Sequence, residues 1–341
     1  MLSELRRVFA SSRFIGCTAE SVVGDGHEFE DEPATAVLAG RLPNVHIQPL
    51  PELSAGAIDL PAPPSEIAAF IVLLDPFSVR ADRLTHQFNA VAPGVPVLGG
   101  VASWASSAGQ NALALDDAIL DRGSVGIALS GDIRVHPIVS QGCRPVGSVM
   151  RITQGQGNQI AELDGIPPLT RLREIFEAAD SNTQSLMRAG ILIGRSVRND
   201  RTDVGHGSFV VRGLMGADSD SGTIAVSDRI VAGDLVQFHV RDATTARDDL
   251  ELLLTGQAFE AQAAGALLFT CNGRGKRLFG EPDTDIQAVQ RALGDEVPVA
   301  GFFCGGELGP IGSENFLHGF TASLAILRPR EHPAVIDRKF M

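Results

Sequence analysis

Cys271, Cys304, Glu307 and His318 come nearest, among the residues of this chain, to a reactive set. A thiol, an imidazole to take its proton and a carboxylate to orient the imidazole make a nucleophile when the fold brings them together. Cys271 and Cys304 each end an apolar run, where the alternative role is a small buried packing residue. The same places suit binding. Cys304-Gly305-Gly306-Glu307 follows a buried run that contains Gly301, and glycines there let backbone N–H groups approach a ligand; the plain alternative is a tight turn. Gly99 and Gly100 follow a similar run earlier in the chain. Arg274 offers a planar fork to a carboxylate, as does Arg212, although an exposed arginine often does no more than solvate a loop. Asn272-Gly273-Arg274-Gly275-Lys276-Arg277 lacks the spacing of a nucleotide phosphate loop and its hydroxyl residue. Cysteine, glutamate and histidine are metal-ligand types, but no ligand spacing joins them. The candidate ligand-binding set is therefore Cys271, Arg274, Gly301, Cys304, Gly305, Gly306, Glu307 and His318, with Gly99 and Gly100. No residue is assigned a catalytic role, and no metal or cofactor is expected.

These residues sit in a strand–loop–helix–strand–loop–strand pattern. Ala266–Phe269 is a short apolar run suited to a strand buried on both faces. Ile286, Val289 and Leu293 form one helical stripe, which Gly294 stops. Val297–Phe303 is the second buried strand, and the run to Leu324 closes the unit. A matching unit begins at Phe70: an apolar run to Leu74, a helical stripe of Leu84, Phe88 and Val91, a repeat of the Val-Pro-Val strand at Val95, and a closing run to Leu129. The total lengths nearly agree, which predicts an internal duplication in which Asp75 aligns with Cys271, Gly99 with Gly301 and Ala102 with Cys304. Ile133–Val139, Gly147–Ile152 and Gln159–Leu163 read as an antiparallel meander. Pro167-Pro168 opens an amphipathic helix and marks the boundary between halves. Four further strands, from Ile191 to Val240, lead to a helix over about 246–264, with Thr245 and Asp248 spaced as a capping box. Ala34–Leu42 is expected to be a short helix, 51–65 a loop, the tail beyond Arg328 peripheral, and Trp104 a core residue.

The chain has 341 residues, 44% of them apolar and 20% charged, enough for a sizeable core. Its net charge of −13 opposes nucleic acid and anionic membrane surfaces as partners. No apolar run approaches the roughly 18 residues a span needs, and the first residues lack the apolar core of an export signal. A cytoplasmic location is expected, with the four dispersed cysteines as free thiols.

Asn272–Gly280, Val297–Pro310 and Leu317–Thr321 resemble the C-terminal half of FIST domains. Phe14–Gly24 and Val95–Ala102 resemble the N-terminal half more loosely. The resemblance covers nearly the whole chain and implies a small-ligand sensory role in signal transduction, with amino acids or related metabolites as ligands and a signalling protein as partner. The expected fold is α/β (α+β): two similar halves, each a mixed or antiparallel β-sheet covered by helices, packed as an intramolecular pseudo-dimer. The domains are expected over 10–165 and 166–328. The rival reading is a thiol-dependent enzyme using Cys271 or Cys304. An interaction adaptor, suggested by F-box relatives, is a third; no F-box-like segment precedes the FIST-like region.

Overall fold

The computed structural model describes residues 4, 7–8, 13–50, 53, 58–198, 200, 204–205 and 207–330. Part of the loop expected at 51–65, part of the N-terminal segment and nearly all of the tail lie outside them. The first half contains β1 (Ile15–Cys17), β2 (Val22–Gly24), β3 (His27–Phe29), β4 (Val45–Leu50), β5 (Ile67–Leu74), α1 (Ala81–Val91), β6 (Val97–Val101), β7 (Leu113–Leu115), β8 (Ala118–Leu120), β9 (Ser124–Gly131) and β10 (Ile133–Gln141). A middle region follows: β11 (Cys143–Gln156), β12 (Gln159–Leu163), α2 (Pro168–Ala178), α3 (Ser181–Ala189), β13 (Leu192–Ser196), β14 (Phe209–Ala217), β15 (Ile224–Val226) and β16 (Leu235–Arg241). The last part has α4 (Ala243–Thr255), β17 (Gly265–Cys271), α5 (Lys276–Phe279), α6 (Thr284–Leu293), β18 (Val299–Cys304), β19 (Glu307–Ile311), β20 (Glu314–His318) and β21 (Thr321–Pro329).

Two six-stranded sheets share one plan. Their orders are β20-β19-β6-β5-β9-β4 and β3-β2-β18-β17-β21-β10. In each, one central pair is parallel, β5 with β6 and β17 with β18, and every other pairing is antiparallel. Val72 lies opposite Gly99 and Leu268 opposite Gly301, so the two glycines hold one topological position. The expected duplication is present. Its closing strands differ by a few residues from the sequence alignment: Leu129 lies opposite Ala69 and Leu327 opposite Gly265, so Leu129 matches Leu327 rather than Leu324.

The sheets stack face to face as the inner layers of an α–β–β–α sandwich. Ile71, Leu98 and Ile127 of one meet Phe269, Phe302 and Ala325 of the other. On the outer face of the first sheet, Leu84 and Phe88 of α1 pack on Phe70 and Val72. On the outer face of the second, Ile286 and Val289 of α6 and Leu250 of α4 pack on Leu268 and Leu324. Each central strand is buried on both sides, which is why it reads as an unbroken apolar run.

The edge hairpin of each sheet comes from the other end of the chain. β19–β20 extends the sheet built around β5 and β6, whereas β2–β3 extends the one around β17 and β18. Leu308 pairs with Gly99 and Val23 with Gly301, so the exchange is reciprocal down to the residue.

The expected meander is corrected: β10 leaves it to pair with β21, while β11 and β12 join β13 to β16 in a closed barrel ordered β11-β12-β15-β14-β13-β16. Its interior is filled by Ile152, Ile160, Ile193 and Phe238, among others. Three local expectations also change. Residues 34–42 form no helix. Helix α4 is capped by Asp242, whose Oδ1 accepts from Thr244 N (3.0 Å) and Thr245 N (3.4 Å), so the Thr245/Asp248 box is not used. Trp104 is 64% exposed instead of buried; it sits in the polar loop after β6.

Candidate functional site

The carboxyl ends of β6 and β18 meet at the pseudo-twofold relation between the sheets. Gly305 N–H donates to Val101 O (3.0 Å) and Val101 N–H to Gly306 O (2.9 Å). Gly100 lies opposite Glu307. The glycine loops are thus brought together by sheet pairing. A Cβ on Gly99 would lie 1.9 Å from Val72 O, one on Gly301 1.7 Å from Leu268 O, and one on Gly100 2.3 Å from Cys304 Sγ. These three glycines are set by close backbone and thiol approach. Gly305 and Gly306 belong to the same crossing, where a Cβ would lie 3.5 Å and 2.9 Å from the Val101 and Leu317 side chains respectively.

Beside the crossing, Cys271, Arg274 and Glu307 converge where the barrel abuts the second sheet. Arg274 and Glu307 are fully buried. Arg274 is not the free cation the sequence suggested: its Nε and Nη2 donate to the two oxygens of Asp285 (2.7 Å each), and its guanidinium lies over Phe279. This bidentate pair satisfies the charge. Its remaining nitrogen, Nη1, is buried with no partner, and it faces Gly142, where a Cβ would come within 2.7 Å of it. Glu307 Oε2 accepts from Thr321 N (3.1 Å) and Thr321 Oγ1 (2.7 Å), while Oε1 makes no hydrogen bond of ordinary geometry and the Cys271 thiol stands beside the carboxyl. Burial lifts the Glu307 carboxyl to about 8, so it is largely protonated at neutral pH. Glu28, whose Oε1 accepts from Asp285 N (3.0 Å) and Ile286 N (3.1 Å), is lifted to about 8 by burial and by the nearby Asp285 charge.

The barrel contributes Gly142, Cys143 and Arg241 to this seam. Gly142 N–H donates to Phe320 O (3.0 Å), Arg241 donates to Gly273 O, and its guanidinium lies over the Phe320 ring. Phe320 holds a φ of +66°, a strained conformation for a bulky residue.

The four cysteines, remote in sequence, gather around the same region. Cys271 lies directly opposite Cys304, Cys17 is near enough to Cys304 to affect its ionisation, and Cys143 stands in the same relation to Cys271. Burial pushes Cys17, Cys143 and Cys271 up to about 12 and Cys304 well above its usual value. His318 is opposite Glu307 in the β19–β20 pairing, but its Nε2 bonds to Gly309 O (3.0 Å) and burial drops it to about 4. The imidazole is neutral and serves no thiol. Arg212 is turned to Asp228 (3.6 Å) on the barrel.

Asp285, Thr321, Phe320, Gly142, Cys143 and Arg241 were missed by sequence reasoning. Asp285 looks like an ordinary first-turn acid of α6, and the barrel residues come from segments with no local mark of a site. Two cavities lie elsewhere. One of about 490 Å³ runs between the barrel and α2–α3, past Arg144, Ile175 and Asp180; one of about 260 Å³ lies by Val95, Pro137 and Asn315. Neither includes a residue of the candidate set. Among the described residues no helix is long and apolar enough to cross a membrane.

Two related halves with exchanged hairpins, joined through a barrel and enclosing a buried polar cluster, define a two-part α/β protein. Residues 1–166 match the FIST N domain and residues 168–310 the FIST C domain, and the chain belongs to the FIST family. FIST domains are associated with sensory signal transduction. The chain is 41% identical over 332 residues to an uncharacterized protein of Mycobacterium bovis, covering 96% of this chain and 86% of that one. It is 39% identical over 338 residues to an uncharacterized protein of Mycobacterium tuberculosis, with the same coverage.

Proposed function

We propose that this chain is a sensory protein whose ligand is a small carboxylate-bearing metabolite, amino acids among them, taken up at the seam around Cys271, Arg274 and Glu307. The observation that carries this reading is the pair of buried, unpartnered atoms Arg274 Nη1 and Glu307 Oε1. With Glu307 protonated, both are hydrogen-bond donors, and an unmet buried donor costs about 1–3 kcal/mol. A carboxylate oxygen supplies the acceptor both lack. Because the cluster lies under the barrel, a ligand entering it parts the barrel from the second sheet. That movement is the signal in this reading, and it reaches a partner protein through the barrel face. The thiol-enzyme alternative draws little support, since thiols near 12 hold almost no thiolate at neutral pH.

The test is a thermal-shift panel of amino acids and other small carboxylates against their amides. A ligand at a hundredfold its Kd stabilises by about 2.7 kcal/mol, roughly several degrees in Tm. The shift is expected to survive Glu307→Gln, which keeps a donor, and to vanish in Glu307→Met. No shift across the panel, or a shift that Glu307→Met leaves intact, overturns the assignment.

A further inference from the structure

On the opposite side of the second sheet from its exchanged hairpin, β10 and β21 place Arg134 and Arg328 directly opposite each other. Like charges in that position repel. One carboxylate acts on both: Glu260 pairs with Arg134, and its charge is felt by Arg328. His136, two residues along β10, is held below the usual histidine range, first by burial and then by the Arg328 charge. Two guanidiniums thus face one carboxylate, leaving a local excess of positive charge in a chain of net charge −13.

Three polar atoms in this cluster are buried without a partner: Arg134 Nε, Arg328 Nη1 and Gln257 Oε1. Arg328 is 2% exposed and Gln257 6%. Their other atoms are committed, Arg328 Nε to Ala261 O (2.6 Å) and Gln257 Nε2 to His136 Nε2 (3.2 Å). What is left over is two cationic donors and one acceptor. The Arg134 and Glu260 side chains are 41% and 34% exposed, so the cluster is reachable from solvent.

We infer that this cluster binds a phosphoryl monoanion, whose oxygens accept from Arg134 Nε and Arg328 Nη1 and whose O–H donates to Gln257 Oε1. A monoanion balances the charge, with Glu260 staying in place. The acceptor gives the site its selectivity: sulfate has the same shape but no proton to offer Gln257. Free phosphate and a phosphomonoester share this chemistry.

The test is calorimetric titration of the full chain near pH 6, where about half of a phosphomonoester is the singly protonated monoanion, with inorganic phosphate, methyl phosphate and sulfate. At least one phosphoryl ligand is expected to bind about tenfold or more tightly than sulfate, the worth of one hydrogen bond at a charged site. Gln257→Met should erase that preference, and Arg134→Gln should weaken phosphoryl binding by about tenfold, with the circular dichroism of both variants unchanged. Binding of methyl phosphate makes the ligand a phosphomonoester; binding of inorganic phosphate alone makes it the free ion. Silence at millimolar phosphate, equal binding of sulfate, or binding that both variants leave untouched overturns the inference.

Discussion

Glu307 is a neutral acid held where its charge is unwelcome, and that makes the protein sensitive to pH. Burial raises Glu307, and with it Glu28, from 4.5 to about 8. The folded state therefore keeps protons that the unfolded chain releases at lower pH. Stability from the two groups is complete below about pH 4.5 and is lost as pH rises through about 8. Tm is expected to fall between pH 6 and 9, and Glu307→Gln should flatten that fall; a wild-type Tm that rises over this interval contradicts the picture. The raised thiols make a second expectation. Iodoacetamide near pH 7 should label Cys271 far more slowly than free cysteine, and rapid labelling would restore the nucleophile reading. At this scale the sequence disclosed Cys271, Arg274 and Glu307, because they lie at the ends of runs whose buried character is plain. Their partners were hidden. Asp285 is a helix-start acid by every local sign, and nothing near Cys143 or Phe320 announces that the chain returns there.

The central strands owe their spacing to two glycines in one structural position. Gly99→Ala and Gly301→Ala each press a methyl group against a carbonyl of the neighbouring parallel strand, at 1.9 Å and 1.7 Å before relaxation. Overpacking of this kind costs about 1–3 kcal/mol or more, read as a lower denaturant midpoint at unchanged slope; a neutral result for both would show that the sheets yield easily. Gly100→Ala meets Cys304 Sγ instead, so Cys304→Ala should recover part of its loss. The central strands β5, β6, β17 and β18, with α1, α2 and α6, were legible from periodicity alone, because one buried stripe or an apolar run suffices to mark them. Pairing was not. Gly16 to Gly24 and Gly301 to Gly309 enclose the same number of residues and both run into an exchanged hairpin, a likeness that lies outside the repeated unit beginning at Phe70. The barrel escaped as well, since six short alternating strands do not say which neighbour each one takes.

For the whole molecule, the boundary between the two family matches, at 166 to 168, does not separate folded bodies. It cuts the barrel between β12 and β13, and each large sheet keeps an edge contributed from across it. Separately produced 1–166 and 167–341 should lack cooperative unfolding transitions, and mixing or co-expression should restore one; a sharp transition in either fragment alone would show that the halves are independent. The sandwich and the pseudo-dimer followed from the repeated unit, whereas the exchange depends on contacts between opposite ends of the chain, which leave no local signature. The reciprocal hairpins also impose an order on synthesis. The strand that must flank β6 emerges from the ribosome roughly 200 residues later, about 10–40 s at ordinary elongation rates. Until then the nascent sheet carries a bare apolar edge, open to pairing with a neighbouring chain, so yield in the cell is governed by how well that edge is shielded during translation.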